Sequence, residues 1–198
     1  VYVQWVGPPL APLPSMYFNW SVLVPPDIKP GDVLAAELSL HESGNWSYAK
    51  PRKKFLHRSI QIAAHDYPAS GWYGYNDAFQ TLKSYRTGKV GNHTQRRIMA
   101  FLEWAKKEFP IDADRIILCG ADAAVLLAMT YPDAFAYVLM TGFGGKSKVA
   151  GEVLGENAKE LFAPAWGPKS PDIRDDKGRA EWGWAMLDQL ALAAEGQD

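Results

Sequence analysis

Apolar residues fall into short blocks separated by proline, glycine and charged turns, and the spacing inside each block assigns it to strand or helix. The run Gly7-Pro8-Pro9-Leu10-Ala11-Pro12-Leu13-Pro14 excludes helix and central strand, because proline fixes φ and lacks an N–H. Residues 1–15 are therefore read as an extended N-terminal arm. Met16 to Val24, dense in aromatic and β-branched residues and closed by Pro25-Pro26, predicts a strand. Lys29-Pro30-Gly31-Asp32 predicts a turn, and Val33 to Leu40 a second strand that stops at His41-Glu42-Ser43-Gly44. Ser59 to Ala64 predicts a third, followed by His65-Asp66-Tyr67-Pro68 and the aromatic loop Gly71-Trp72-Tyr73-Gly74-Tyr75.

The period then changes. Ile98, Phe101, Leu102 and Ala105 follow the three-to-four spacing of an amphipathic helix, with Thr94 as its expected cap and Pro110 as its stop. Arg115 to Cys119 and Ala136 to Thr141 are short and apolar throughout, the pattern of strands buried on both faces, and the helix Ala124 to Thr130 lies between them. Alternation of apolar strands with helices predicts an α/β domain over residues 16–145, with a mainly parallel sheet and helices on both faces. Residues 146–198 read differently, as a Gly/Pro-rich loop and a C-terminal helix from Arg179 to Ala194. No strand signal follows Thr141, so this part is taken as an incomplete back portion of the same domain.

Composition narrows the function. The 198 residues carry 21 Lys and Arg against 22 Asp and Glu, a net charge of −1, which offers no electrostatic case for nucleic acid or an anionic membrane. No apolar run approaches the ~18–20 residues of a bilayer span. A single cysteine, Cys119, excludes an internal disulfide and disfavours a Cys-built zinc site; at the end of a buried strand it reads as an inert core thiol. Asn19, Asn45 and Asn92 lie in N-x-S/T triplets, which would matter only in a glycosylating pathway, and the compartment stays open between cytoplasmic and secreted or periplasmic. The first residue is Val, so an N-terminal segment is expected to have been lost.

In open parallel sheets ligands gather at the carboxyl ends of the strands, which here present His41, Glu42, Ser43 and Gly44, then His65 and Asp66, then the corner Gly120-Ala121-Asp122-Ala123-Ala124. The corner is a short strand, a turn of small residues and a helix, the arrangement of a nucleophile elbow. Its apex side chain would project into the site, and the N–H of Ala123 could serve an oxyanion. The run from Met16 to Gly145 resembles the front part of an α/β-hydrolase of the esterase and prolyl-oligopeptidase-like branch. Leu38 to Gly44 is similar to that branch's L-H-G-G-G oxyanion strand. Asp112 to Gly120 resembles the D-x-x-R-I-x-x-x-G that leads to the nucleophile, and Ala128 to Phe135 the A-x-x-x-P-x-x-F that follows it. The resemblance implies a hydrolase acting on ester bonds; no cofactor is expected, and no metal, since His41, Glu42, His65, Asp66 and Asp122 show no HxH or HxxxE spacing.

The departures from that pattern are chemical. Asp122 stands where the resemblance implies serine, Ala124 where it implies glycine, and Glu42 and Ser43 where it implies glycines. The family's order is nucleophile, acid, histidine, yet His41, His57, His65 and His93 all precede Asp122. The expectation is a domain that is catalytically incomplete or inactive as this chain, by degeneration, by missing sequence, or both. Two alternatives remain. One is an active hydrolase, using Asp122 as nucleophile in the manner of dehalogenase-like relatives or completed by residues outside the chain. The other is a carbohydrate- or partner-binding module, with Trp72, Tyr73 and Tyr75 as a stacking surface. The partners considered are a small ester, peptide or carbohydrate, the remainder of a larger chain, or further copies in a homo-oligomer, with no nucleic acid and no membrane.

Overall fold

The computed structural model describes residues 1–41, 54–140, 163–168 and 173–179. A six-stranded sheet is built from β1 (Tyr2–Val6), β2 (Met16–Leu23), β3 (Leu34–Ser39), β4 (Ser59–Ala64), β7 (Ile111–Gly120) and β8 (Tyr137–Met140), in the order β1-β2-β4-β3-β7-β8. The first two strands run antiparallel to their neighbours, and β4, β3, β7 and β8 are mutually parallel. Two helices, α1 (His93–Glu108) and α2 (Asp122–Thr130), follow the parallel strands' connections. A second, three-stranded sheet pairs β5 (Tyr75–Asn76), β6 (Lys89–Gly91) and β9 (Arg174–Asp175).

The register explains why the central strands are apolar. Ala36, Ile60 and Ile116 sit side by side, as do Leu38, Ile62 and Leu118, and these rows face α1 and α2 in one buried cluster. On the opposite face Glu37, Gln61 and Ile117 form the matching row, and it too is buried. Both α1 and α2 therefore pack on one face of the sheet. Glu37 is buried there at 1% exposure without being orphaned: its carboxylate accepts from the Phe55 and Leu56 N–H groups and from the Ser59 hydroxyl. Satisfying the carboxylate with three donors offsets its desolvation and ties the approach to β4 onto β3.

Several local expectations change in the structure. β1, where no strand was expected, alternates inward Tyr2, Gln4 and Val6 with outward Val3 and Trp5, and Tyr2 packs edge-on against Phe101 and Trp104 of α1 and Phe109 just after it. Thr94 does not cap α1: the cap is Asn92, and the Tyr73 carbonyl accepts the N–H groups of Thr94 and Gln95 instead. β8 is not buried on both faces and is the edge strand among the described residues, with Tyr137 at 69% exposure and Met140 at 39%. Its apolar pattern misled because a strand's own sequence does not say whether it has one neighbour or two. The strand expected from Arg115 to Cys119 is present but begins earlier, at Ile111, and Arg115 lies beside a shift in its register with β3: Asp112 accepts from Arg115 Nε at 2.5 Å while the guanidinium donates to the Val33 carbonyl at 3.0 Å. The expected helix over 179–194 falls, but for Arg179, outside the described residues.

In the main core Trp20 of β2 stacks flat on Phe101 of α1, with ring centroids 3.8 Å apart and an interplanar angle of 1°. Trp20 is fully buried, and its indole N–H donates to Gln4 on β1 at 3.0 Å. Removing it empties the space between sheet and helix. Trp20→Ala should cost about 3–5 kcal/mol in urea unfolding and Trp20→Phe distinctly less, because the phenyl ring keeps most of the stack. Equal losses for the two variants would show that the stack contributes little.

Candidate active site

The carboxyl ends of β3, β4 and β7 form one rim, because Ser39 pairs with both Ala63 and Cys119 and the chain leaves all three strands within two residues of that row. His41 leaves β3 there, His65 and Asp66 leave β4, and Gly120 to Ala124 leave β7. The backbone at Asp122 is the first residue of α2, directly after the cap Ala121, so a strand-to-helix corner stands where the sequence placed it. A Cβ at Gly120 would lie 3.2 Å from the Cβ atoms of both Leu40 and Ala124. The small residue lets the corner press against the end of β3. Ala124 is fully buried and Ala121 and Ala123 are partly so. Glu42, Ser43 and Gly44 lie outside the described residues.

His41 is bound into the architecture. Its Nε2 accepts the Asp66 N–H at 3.0 Å, so the ring proton of the neutral form sits on Nδ1. Its carbonyl accepts the Trp72 indole N–H at 3.0 Å, and the Trp72 ring meets the imidazole edge-on at 4.8 Å. His65 lies 5.8 Å from His41, centroid to centroid, and stacks on Tyr67 at 5.9 Å. Burial, with the neighbouring His41 and Arg97 adding to it, pushes the His65 pKa down to about 4, so this imidazole is neutral near pH 7.

Asp66 is the hub of the rim. Its carboxylate accepts the Ser70 N–H at 2.8 Å, the Ser70 hydroxyl at 2.6 Å and the Trp72 N–H at 3.2 Å. The Ser70 hydroxyl also bonds Thr94 at 2.7 Å, and Thr94 accepts from Arg97, which is buried in α1 and lies 3.3 Å over the Phe18 ring. Burial pushes the Asp66 carboxyl above the ordinary carboxylate range, while its donors and the Arg97 charge pull it back. Trp72 has φ +60°, a left-handed conformation that a bulky residue holds only where its surroundings over-determine it. Here both of its N–H groups are bonded.

The aromatic loop turns inward. Trp72, Tyr73 and Tyr75 are 5%, 3% and 0% exposed, which leaves no ring face on which a sugar could stack. Trp72 joins the main core, and Tyr73 and Tyr75 join a second cluster around Phe18, Val90 and Trp166. A Cβ at Gly74 would fall 1.9 Å from the Gly91 carbonyl oxygen, so only glycine allows this loop to close on β6. Ser70 and Arg97, both central to the rim, were missed from sequence. Arg97 had a readable signal: it occupies the apolar stripe of α1 with Thr94, Ile98 and Phe101, where a cation needs a buried partner.

Among the described residues no cluster of three or more His, Cys, Asp or Glu side chains is placed to hold a metal, and no helix is long and apolar enough to cross a membrane. No protein-family model and no curated protein matches the sequence. Solved structures do. A thermostable esterase superposes at a TM-score of 0.50 and 16% identity, covering 98% of this chain and 61% of the esterase. FphF, a fluorophosphonate-binding serine hydrolase of Staphylococcus aureus with substrate bound, superposes at 0.58 and 16% identity, covering 98% of this chain and 74% of that protein. The chain thus spans about three-fifths of the length of the esterase. At this identity the likeness establishes the fold alone, a mixed α/β architecture with a mostly parallel central sheet shared with these two proteins.

The depressed His65 pKa makes stability depend on pH. Unfolded, the imidazole titrates at its ordinary 6.5; folded, it resists protonation down to about 4. Between those values the unfolded chain binds the extra proton, so stability falls as pH drops from 6.5 to 4, by about 2–3 kcal/mol at most. His93, also lowered chiefly by burial, acts in the same direction. Urea unfolding at the two ends of this window should show a smaller acid loss for His65→Gln than for the parent. An unchanged loss would mean that His65 titrates alike in both states.

Proposed function

We propose that these 198 residues form an α/β-hydrolase-like domain of the esterase and peptidase kind that does not hydrolyse esters on its own. The observation that carries this reading is the engagement of the rim imidazoles. Ester hydrolysis at an elbow needs a base to take the proton of the attacking hydroxyl or water, and that base works best with a pKa near the operating pH. His41 spends its Nε2 lone pair on the Asp66 N–H, and a ring with a pKa of about 4, as His65 has, is a poor base at neutrality. The corner adds a second reason: Asp122 stands where this branch of the fold would present serine. Attack by Asp122 itself is disfavoured on the same ground, since the resulting ester would wait for a water that no available imidazole activates.

A chromogenic acetate ester tests the proposal. The chain should release the chromophore at the buffer's rate, and Asp122→Ser should do the same, because a new hydroxyl gains no base. Turnover above background that Asp122→Asn abolishes would identify Asp122 as a nucleophile and overturn the reading. Esterase activity appearing in Asp122→Ser would overturn it equally, by showing that the remaining machinery is intact.

A further inference from the structure

One face of the β1–β2 ribbon is apolar and open. Val3 and Trp5 on β1 share it with Tyr17 and Leu23 on β2, since Val3 pairs with Asn19 and Trp5 with Tyr17. Exposures are 51% for Val3, 67% for Trp5, 59% for Tyr17 and 51% for Leu23, with Val1 beside them at 83%. The other face of the same ribbon packs on α1 through Tyr2 and Trp20, so the exposed face is a second apolar surface on two strands that already have a core. With aromatic side chains carrying about 150–250 Å² each, the five residues expose on the order of 500–600 Å², at the top of the range for a monomer's largest patch. A stable protein interface needs about 800 Å² per partner, so this face would form most of one.

We propose that this face packs against the same face of a second copy of the chain. Among the described residues its side chains are uncharged, with Asn19 and Ser21 as its polar members, and an isologous contact needs only self-complementarity. The lack of cations disfavours nucleic acid and anionic lipid. Trp5 and Tyr17 are inclined at 45° with centroids 5.3 Å apart, a wedge that interdigitates better than it lies flat under a sugar ring. Among the described residues β1 is also the edge strand of the sheet.

Sedimentation analysis of the chain across a concentration series should find a dimer. Trp5→Lys combined with Tyr17→Lys should weaken it at least about tenfold, while Leu82→Lys, a control at 109% exposure away from the ribbon, should leave it unchanged. Near-UV circular dichroism checks that the variants are folded, and Val3→Lys makes the same comparison if the double variant is not. A parent that stays monomeric throughout the series overturns the proposal and leaves the face to another partner. So does a dimer that survives lysine on the ribbon, or one that Leu82→Lys breaks as readily.

Discussion

The hydrogen bond from the Asp66 amide to His41 Nε2 joins two parallel strands beyond the last rung of their ladder, and the rim is arranged around it. It orients the His41 ring, fixes where its proton sits and starts the turn from which Asp66 gathers Ser70 and Trp72. Buried polar groups are tolerable only when their partners are complete, and each member here meets that condition through the next. The Trp72 indole returns the chain to the His41 carbonyl and closes the circuit.

The same network couples the two cores. Thr94 and Arg97 bring α1 into it, and Arg97 reaches across to Phe18 in the second cluster. That cluster is held from its far side by Tyr73, whose hydroxyl meets the carboxylates of Asp175 at 3.3 Å and Asp176 at 3.0 Å. Asp175 is fully buried and pairs with Arg179 at 2.6 Å, so its charge is compensated where it stands. Burial, reinforced by both carboxylates, drives the Tyr73 hydroxyl to remain protonated and to act as donor. The buried polar groups of the rim are thus held by one another across β3, β4 and α1.

Periodicity carried much of this architecture into view. β3, β4 and the Ile116 to Cys119 part of β7 were legible from short, largely apolar stretches bounded by turn residues, and the corner at Gly120 to Ala124 because only small residues turn so tightly. Position in the sheet was not legible. β8 reads like a central strand yet is the last strand of the sheet among the described residues, and β1 was hidden beside a proline-rich stretch because Tyr2-Val3-Gln4-Trp5-Val6 has no polar face to mark it. The aromatic loop was misread for a related reason. Composition supplies rings, but whether they face solvent depends on β6 and the segment around Trp166 closing over them from 15 to 90 residues away. The rim network escaped because hydrogen bonds across the fold leave no local pattern, except at Arg97, where a charge interrupts an apolar stripe.

The protonation of the two rim imidazoles tests the account most directly, through long-range proton–nitrogen NMR of the histidine rings from pH 7 down to about 5. The account expects neutral His41 to carry its proton on Nδ1, with Nε2 as an acceptor, and His65 to stay neutral across the range, in keeping with a pKa of about 4. A neutral His41 protonated on Nε2, or a His65 that titrates near 6.5, would contradict it, because an imidazole would then be free to serve the corner.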